Sequence, residues 1–233
     1  MARPSGLAND QVISSTTAVE RIALTRSEAG RGAAAGAVLG CADLAGPPTA
    51  TMIGVETLGS KQVYANPWMA VREDAIRRSD GSTGIYNVVE TPDIALIIPA
   101  DGDRLHLVEQ YRYPVAGRRW EFPSGSADQE LDVDAAALGA RELREETGLL
   151  AGSLIPIGTL DVAPSMFSQR CRIFLATDLT YGEPQRELEE QDMRSAWFTR
   201  ADVEHMIRDG TITDAKSTAA YTLLLLHGQT PHV

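Results

Sequence analysis

Arg141-Glu142-Leu143-Arg144-Glu145-Glu146-Thr147-Gly148-Leu149 is the stretch on which the reading of this 233-residue chain turns. Asp134 stands at an N-cap position, a helical pattern runs to Thr147, and Gly148 stands at the stop position. Glu142, Glu145 and Glu146 fall at i, i+3 and i+4, so their carboxylates share one face of that helix. A solvated helix face laced with Arg–Glu pairs would account for many such sequences. Three clustered carboxylates repel one another, however, unless cations intervene. Mg²⁺ and Mn²⁺ are hard ions that take oxygen ligands, often a few carboxylates together with substrate phosphates. Arg141 lies one turn before Glu145, where it can orient that carboxylate by a charge-assisted bond. Leu143 points to the core.

Upstream of this helix the pattern is one of strands. Residues 55–65 and 68–77 read as extended, separated by Asn66-Pro67, with an Asp80-Gly81 turn before a strand at 85–89. Further strands are expected at 94–99, 104–110 and 119–122, with an Asp101-Gly102 turn between the first two. Downstream, strands are expected at 154–162, 170–178 and 194–199, and helices at 200–208 and 214–226. Strands on both sides of one central helix, with helices at the end, predict an α+β layered domain. Residues 1–52 read differently. Between 29 and 50, 13 of 22 residues are Ala or Gly, a composition that buries little and costs much to order. A disordered or non-native extension is expected there in preference to a signal peptide.

Composition sets further bounds. The formal net charge is −11, and the first 50 residues contribute zero to it, with four basic and four acidic side chains. An acidic body has the wrong sign for sequence-independent binding to nucleic acid or anionic membranes. No apolar run reaches the length of a membrane span. Cys41 and Cys171 cannot make a disulfide framework or a zinc site, so a reducing cytoplasm is the expected location.

The stretch resembles the Nudix box, G-x5-E-x7-R-E-U-x-E-E-x-G-U with U aliphatic, and its second half matches at every specified position. The first half departs. Gly125 looks like the box glycine but lies sixteen positions before Arg141 instead of fourteen, and Val133 stands where the family has glutamate. Glu130 or Asp132 can serve in its place from a lengthened loop. Tyr111-Arg112-Tyr113-Pro114, Trp120-Glu121-Phe122-Pro123, Pro164 and Glu189-Glu190-Gln191-Asp192 are similar to segments of ADP-ribose pyrophosphatases in that family, whereas Ser168-Gln169-Arg170 departs from them.

This resemblance implies a Nudix fold, an α/β/α sandwich on a mixed sheet preceded by an antiparallel N-terminal strand layer. It divides the chain into the extension at 1–52, a strand region at 53–90 serving dimerisation and the substrate pocket, and a hydrolase domain at 91–233. The implied reaction is Mg²⁺-dependent hydrolysis of ADP-ribose to AMP and ribose 5-phosphate, with Mn²⁺ as an alternative metal. The open alternatives are another nucleotide sugar or dinucleotide as substrate, or a non-catalytic nucleotide sensor. The implied metal ligands are Glu142, Glu146, Glu145 and the carbonyl of Ser124. Glu190, then Glu189, would act on the attacking water, with Glu145 and Arg141 supporting catalysis. Arg112, Trp68 and Glu121 would bind substrate. For Arg112 a surface ion pair, and for Trp68 a core position, stand as alternatives. A homodimer is the implied assembly.

Overall fold

The computed structural model describes residues 54–126, 134–183, 185 and 192–228. Its N-terminal part is an antiparallel sheet of β1 (Glu56–Ala65), β2 (Ala70–Arg77) and β3 (Thr83–Glu90), in that order. There follow β4 (Ile94–Asp101), β5 (Arg104–Arg112), one turn of 3-10 helix (Tyr113–Val115), β6 (Gly117–Glu121) and β7 (Ser124–Ser126). Next come α1 (Ala135–Thr147), β8 (Leu149–Asp161), β9 (Arg170–Tyr181), β10 (Arg194–Thr199), α2 (Arg200–Arg208) and α3 (Ala215–His227).

These later strands form a seven-stranded mixed sheet with the main order β10-β5-β4-β9-β8, in which β4 and β9 are parallel. Side chains alternate across β4, and both faces are covered. Leu96 and Ile98 pack with Val203 and Met206 of α2 and Ala220, Tyr221 and Leu224 of α3. On the other face, Ala95 packs with Leu138 of α1, and Ile97 with Leu143. The result is the expected three-layer α/β/α arrangement, preceded by the separate antiparallel sheet.

The feature that creates the site is a divergence of β4 and β5. The two strands pair only beside their shared turn, at Ala100↔Leu105 and Asp101↔Arg104. Farther along, β4 pairs with β7 at 94–96, while β5 pairs with β6 at 108–112. The chain from Glu121 to Ser126 therefore enters the opening between them. Helix α1 begins where expected, with the Asp134 carboxylate accepting from the Ala136 N–H. It ends at Gly148, whose φ of 76° is left-handed. Several strands are longer than the sequence predicts, β8 and β9 most of all: β8 starts at Leu149 and β9 runs to Tyr181. Their mutual pairing, Leu149↔Tyr181 through Asp161↔Arg170, carries Ala151-Gly152-Ser153, whose own composition favours no strand.

Among the described residues, no helix is long and apolar enough to cross a membrane.

Candidate active site

Helix α1 brings Glu142 and Glu146 inward. Their relative exposures are 8% and 1%, whereas the Glu145 side chain is about one-quarter exposed. Leu143, on the adjacent side of the helix, is fully buried in the core, as expected. The Arg141 guanidinium lies 3.6 Å from Glu142 and 3.9 Å from Glu145, within ion-pair reach of both carboxylates but beyond hydrogen-bond distance.

Facing this helix is β7. A Cβ built on Gly125 would fall inside the envelope of the Glu142 carboxylate. Glycine at this position therefore lets main chain and carboxylate come together. Ser124 precedes it on the same strand and pairs with Leu96 of β4. The Ile97 N–H donates to the Pro123 carbonyl over 2.9 Å, holding the entry to β7.

Arg112 and Glu121 form a two-pronged pair, with Nε and Nη2 donating to the two carboxylate oxygens at 2.9 and 2.8 Å. Glu121 is buried, and the Arg112 side chain is 39% exposed. Burial works against the Arg112 charge, but the Glu121 carboxylate, with help from Glu146 and Asp214, holds its pKa above the ordinary value. Arg112 is thus neither a solitary phosphate grip nor a plain surface residue. It is an arginine oriented by a buried carboxylate, with two of its five donors committed.

Trp68 is 72% exposed and therefore not a core residue. Trp120 stacks edge-on against Phe198, and Trp197 donates to the Tyr181 hydroxyl and stacks on His106, so both have structural partners. The Ser168-Gln169-Arg170 departure also has a structural occupation. The Gln169 side chain donates to the Pro92 carbonyl at 2.7 Å, and the Arg170 main-chain N–H donates to Asp93. Cys171 is buried on β9, and burial pushes its thiol up to about 11, so it is chemically quiet.

Glu130, Asp132, Val133, Glu189 and Glu190 lie outside the described residues. The described residues on either side, Gln185 and Asp192, each make hydrogen bonds. The Gln185 N–H donates to the Glu145 carbonyl at 3.1 Å. On the other side, Arg118 donates to the Asp192 carboxylate at 2.7 Å and to the Asp192 carbonyl at 2.9 Å. Sequence reasoning did not find Arg118. It also donates to Glu109, its neighbour across the β5–β6 hairpin, but nothing local signals the contact to Asp192, which is 74 positions away.

Among the described residues, no three His, Cys, Asp or Glu side chains make a closed metal cage. The donors that do gather suit a different kind of metal site. They are hard carboxylate oxygens on one helix, with a glycine strand pressed against them. Mg²⁺ keeps several waters and is commonly held by one or two carboxylates plus substrate phosphates. The residues present fit that mode.

Comparison with known proteins agrees with this arrangement. Residues 55–89 match a family model described as the nucleoside diphosphate sugar hydrolase N-terminal domain, and residues 90–221 match one described as the NUDIX domain. The chain is 32% identical over 177 residues to an ADP-ribose pyrophosphatase of Mycobacterium tuberculosis, covering 75% of this chain and 84% of that protein. It is 25% identical over 173 residues to an ADP-ribose pyrophosphatase of Bacillus subtilis, covering 73% and 92%. It is also 26% identical over 176 residues to the ADP compounds hydrolase NudE of Escherichia coli, covering 75% and 90%. A crystal structure of an ADP compounds hydrolase superposes with a TM-score of 0.65 at 26% identity, covering 76% of this chain and 96% of that one.

Proposed function

The chain belongs to the NUDIX domain family and is a Nudix hydrolase, and we propose that it cleaves the diphosphate of ADP-ribose to AMP and ribose 5-phosphate. The observation that carries this reading is the pair of inward carboxylates, Glu142 and Glu146, set against Gly125 of β7. Removing two neighbouring carboxylates from water is costly. That cost is offset where a cation joins them during function. The names of the relatives supply the substrate.

Glu142 and Glu146 would hold the metal, with Glu145 and the Ser124 carbonyl beside them, and Mg²⁺ is the ion we assign, Mn²⁺ substituting for it. A divalent ion bound there neutralises diphosphate charge, polarises the attacked phosphoryl group and favours ionisation of water. The chain's own residues do the rest. Arg141 keeps Glu142 and Glu145 oriented. The Glu121–Arg112 pair presents the remaining guanidinium donors to a phosphate or ribose oxygen. Exposed Trp68 offers a ring on which a purine can stack. Glu190, or Glu189, accepts the proton of the attacking water.

The proposal includes the division at 52 and 90, a cytoplasmic location, and a homodimer. Val55, Leu58, Val63, Tyr64, Ile85 and Tyr86 on or beside β1 and β3 are exposed, and apolar surface of that kind marks an interaction face. The Gln169 side chain on the Pro92 carbonyl and the Arg170 guanidinium 3.5 Å from Asp93 favour ADP-ribose over a rewired specificity, because both side chains already have structural partners.

The test is an equimolar panel of ADP-ribose, GDP-mannose, UDP-glucose and NADH with Mg²⁺, read by mass spectrometry. Selective release of AMP and ribose 5-phosphate is expected. Preferential cleavage of another member would replace the substrate. Binding without turnover would replace the hydrolase by a sensor.

A further inference from the structure

The two-residue link between β6 and β7, Phe122-Pro123, delivers Ser124 and Gly125 to the carboxylate helix. Proline carries no N–H, so Phe122 holds the only main-chain donor in the link. That donor is spent far away in sequence. The Phe122 N–H donates over 2.9 Å to the hydroxyl of Ser217, 95 positions later and the third residue of α3. Both residues are 1% exposed, so water cannot take over the bond.

We propose that Ser217 is a positioning residue for the metal-binding end of β7, reaching Ser124 and Gly125 through the Phe122 N–H. This rests on the reading of the site given above. The attachments on either side of the bond support it. Glu121, just before Phe122, is fixed by its paired bonds to Arg112 of β5. The Pro123 carbonyl is held by the Ile97 N–H of β4, and Ser124 by pairing with Leu96. Residues 121, 123 and 124 are thus fixed from within the sheet. Phe122 alone is fixed from the helical layer.

Ser217 is itself held in place. Its N–H donates over 2.8 Å to the Asp214 carboxylate that caps α3, and the Lys216 ammonium holds that carboxylate at 2.8 Å. The main chain that carries the hydroxyl is therefore fixed, as that of a residue behind a metal site must be. Without it the Phe122 N–H has no acceptor in a site closed to water, and the link must shift to find one. The shift would pass directly to the strand whose glycine is pressed against Glu142.

The experiment compares Ser217→Ala with Leu224→Ala, a core substitution about two turns further along the same helix whose side chain is 4% exposed and makes no hydrogen bond to the link. Mn²⁺ affinity of the free protein is measured by electron paramagnetic resonance, alongside the melting temperature. Both variants should melt earlier. Ser217→Ala should weaken Mn²⁺ binding by about tenfold or more, the usual effect of removing a residue behind a metal ligand. Leu224→Ala should leave it unchanged. Equal Mn²⁺ affinity in Ser217→Ala and the parent, with Glu146→Gln weakened, would overturn the positioning role and keep the metal site. Unchanged affinity in Glu146→Gln would overturn the site reading and this inference with it.

Discussion

Replacing Gly125 by alanine adds a single methyl group at the point where β7 meets α1. The backbone there lies outside the left-handed region, so alanine meets no conformational strain and the effect is one of space alone. The new Cβ would sit 2.6 Å from Glu142 Oε1 and closer still to Oε2, against an ordinary contact of 3.4–4 Å. Something must retreat by about 1 Å. The main chain of β7 is the stiffer partner, paired with β4 at Ile94↔Ser126, Ala95↔Gly125 and Leu96↔Ser124. The carboxylate, at the end of a flexible side chain, is the softer one and will move. Overpacking of this mild kind costs about 1 kcal/mol, or a melting temperature lower by about 2–4 °C in a domain of this size. Displacing a catalytic group by 1 Å costs on the order of 10²-fold in rate. The assay is steady-state AMP release over a Mg²⁺ titration, with thermal melts of the same preparations. A hundredfold loss of kcat in a well-folded protein is expected. A kcat equal to that of the parent at the same Mg²⁺ concentration would refute the claim that the Glu142 carboxylate must stay where it is.

Other perturbations separate the parts of the site. Glu146→Gln keeps the shape of a residue that is 1% exposed and removes its charge; turnover should fall by several orders of magnitude with the fold retained, checked by kcat and circular dichroism. Glu121→Gln takes away the carboxylate that orients Arg112. It should cost about 2 kcal/mol in urea unfolding, less than a fully buried pair would because the Arg112 side chain is 39% exposed. An unchanged unfolding midpoint would show that the pair contributes nothing. Burial holds His106 at about 4, down from 6.5. As pH falls below 6.5 the unfolded chain takes up a proton that the folded chain refuses, so stability is lost between 6.5 and about 4 and is unaffected by this group above 6.5. At pH 5 the loss is about 2 kcal/mol. His106→Gln should shrink the difference in unfolding free energy between pH 7.5 and pH 5 by about that amount, and an equal difference in both proteins would contradict the assignment.

The parts of the fold legible in the sequence are those determined locally. Helix α1 could be read from its cap, its carboxylate spacing and its terminal glycine, all of which act within a few residues. The β7 strand could not, because Ser124-Gly125-Ser126 has no strand preference and is extended only by pairing with β4. The first residues of β8 were hidden for the same reason: Ala151-Gly152-Ser153 takes its conformation from β9. In the site, Glu142 and Glu146 announced themselves by period. The Arg112–Glu121 pair did not, since the two residues meet through the β5–β6 hairpin register. Ser217 lay further still from legibility, in a helix whose sequence shows only a cap and a run of leucines. Local patterns thus pointed to the carboxylate helix, while the contacts around it come from residues distant in the chain.

If the carboxylates of α1 drive metal-dependent cleavage of ADP-ribose, turnover must follow the metal. The measurement is the stoichiometry of AMP and ribose 5-phosphate released from ADP-ribose by the chelator-treated protein, before and after Mg²⁺ is restored. Equal amounts of both products, absent with chelator and recovered with Mg²⁺, are predicted. A folded protein that cleaves ADP-ribose equally well in chelator, or not at all with Mg²⁺ present, would contradict the account.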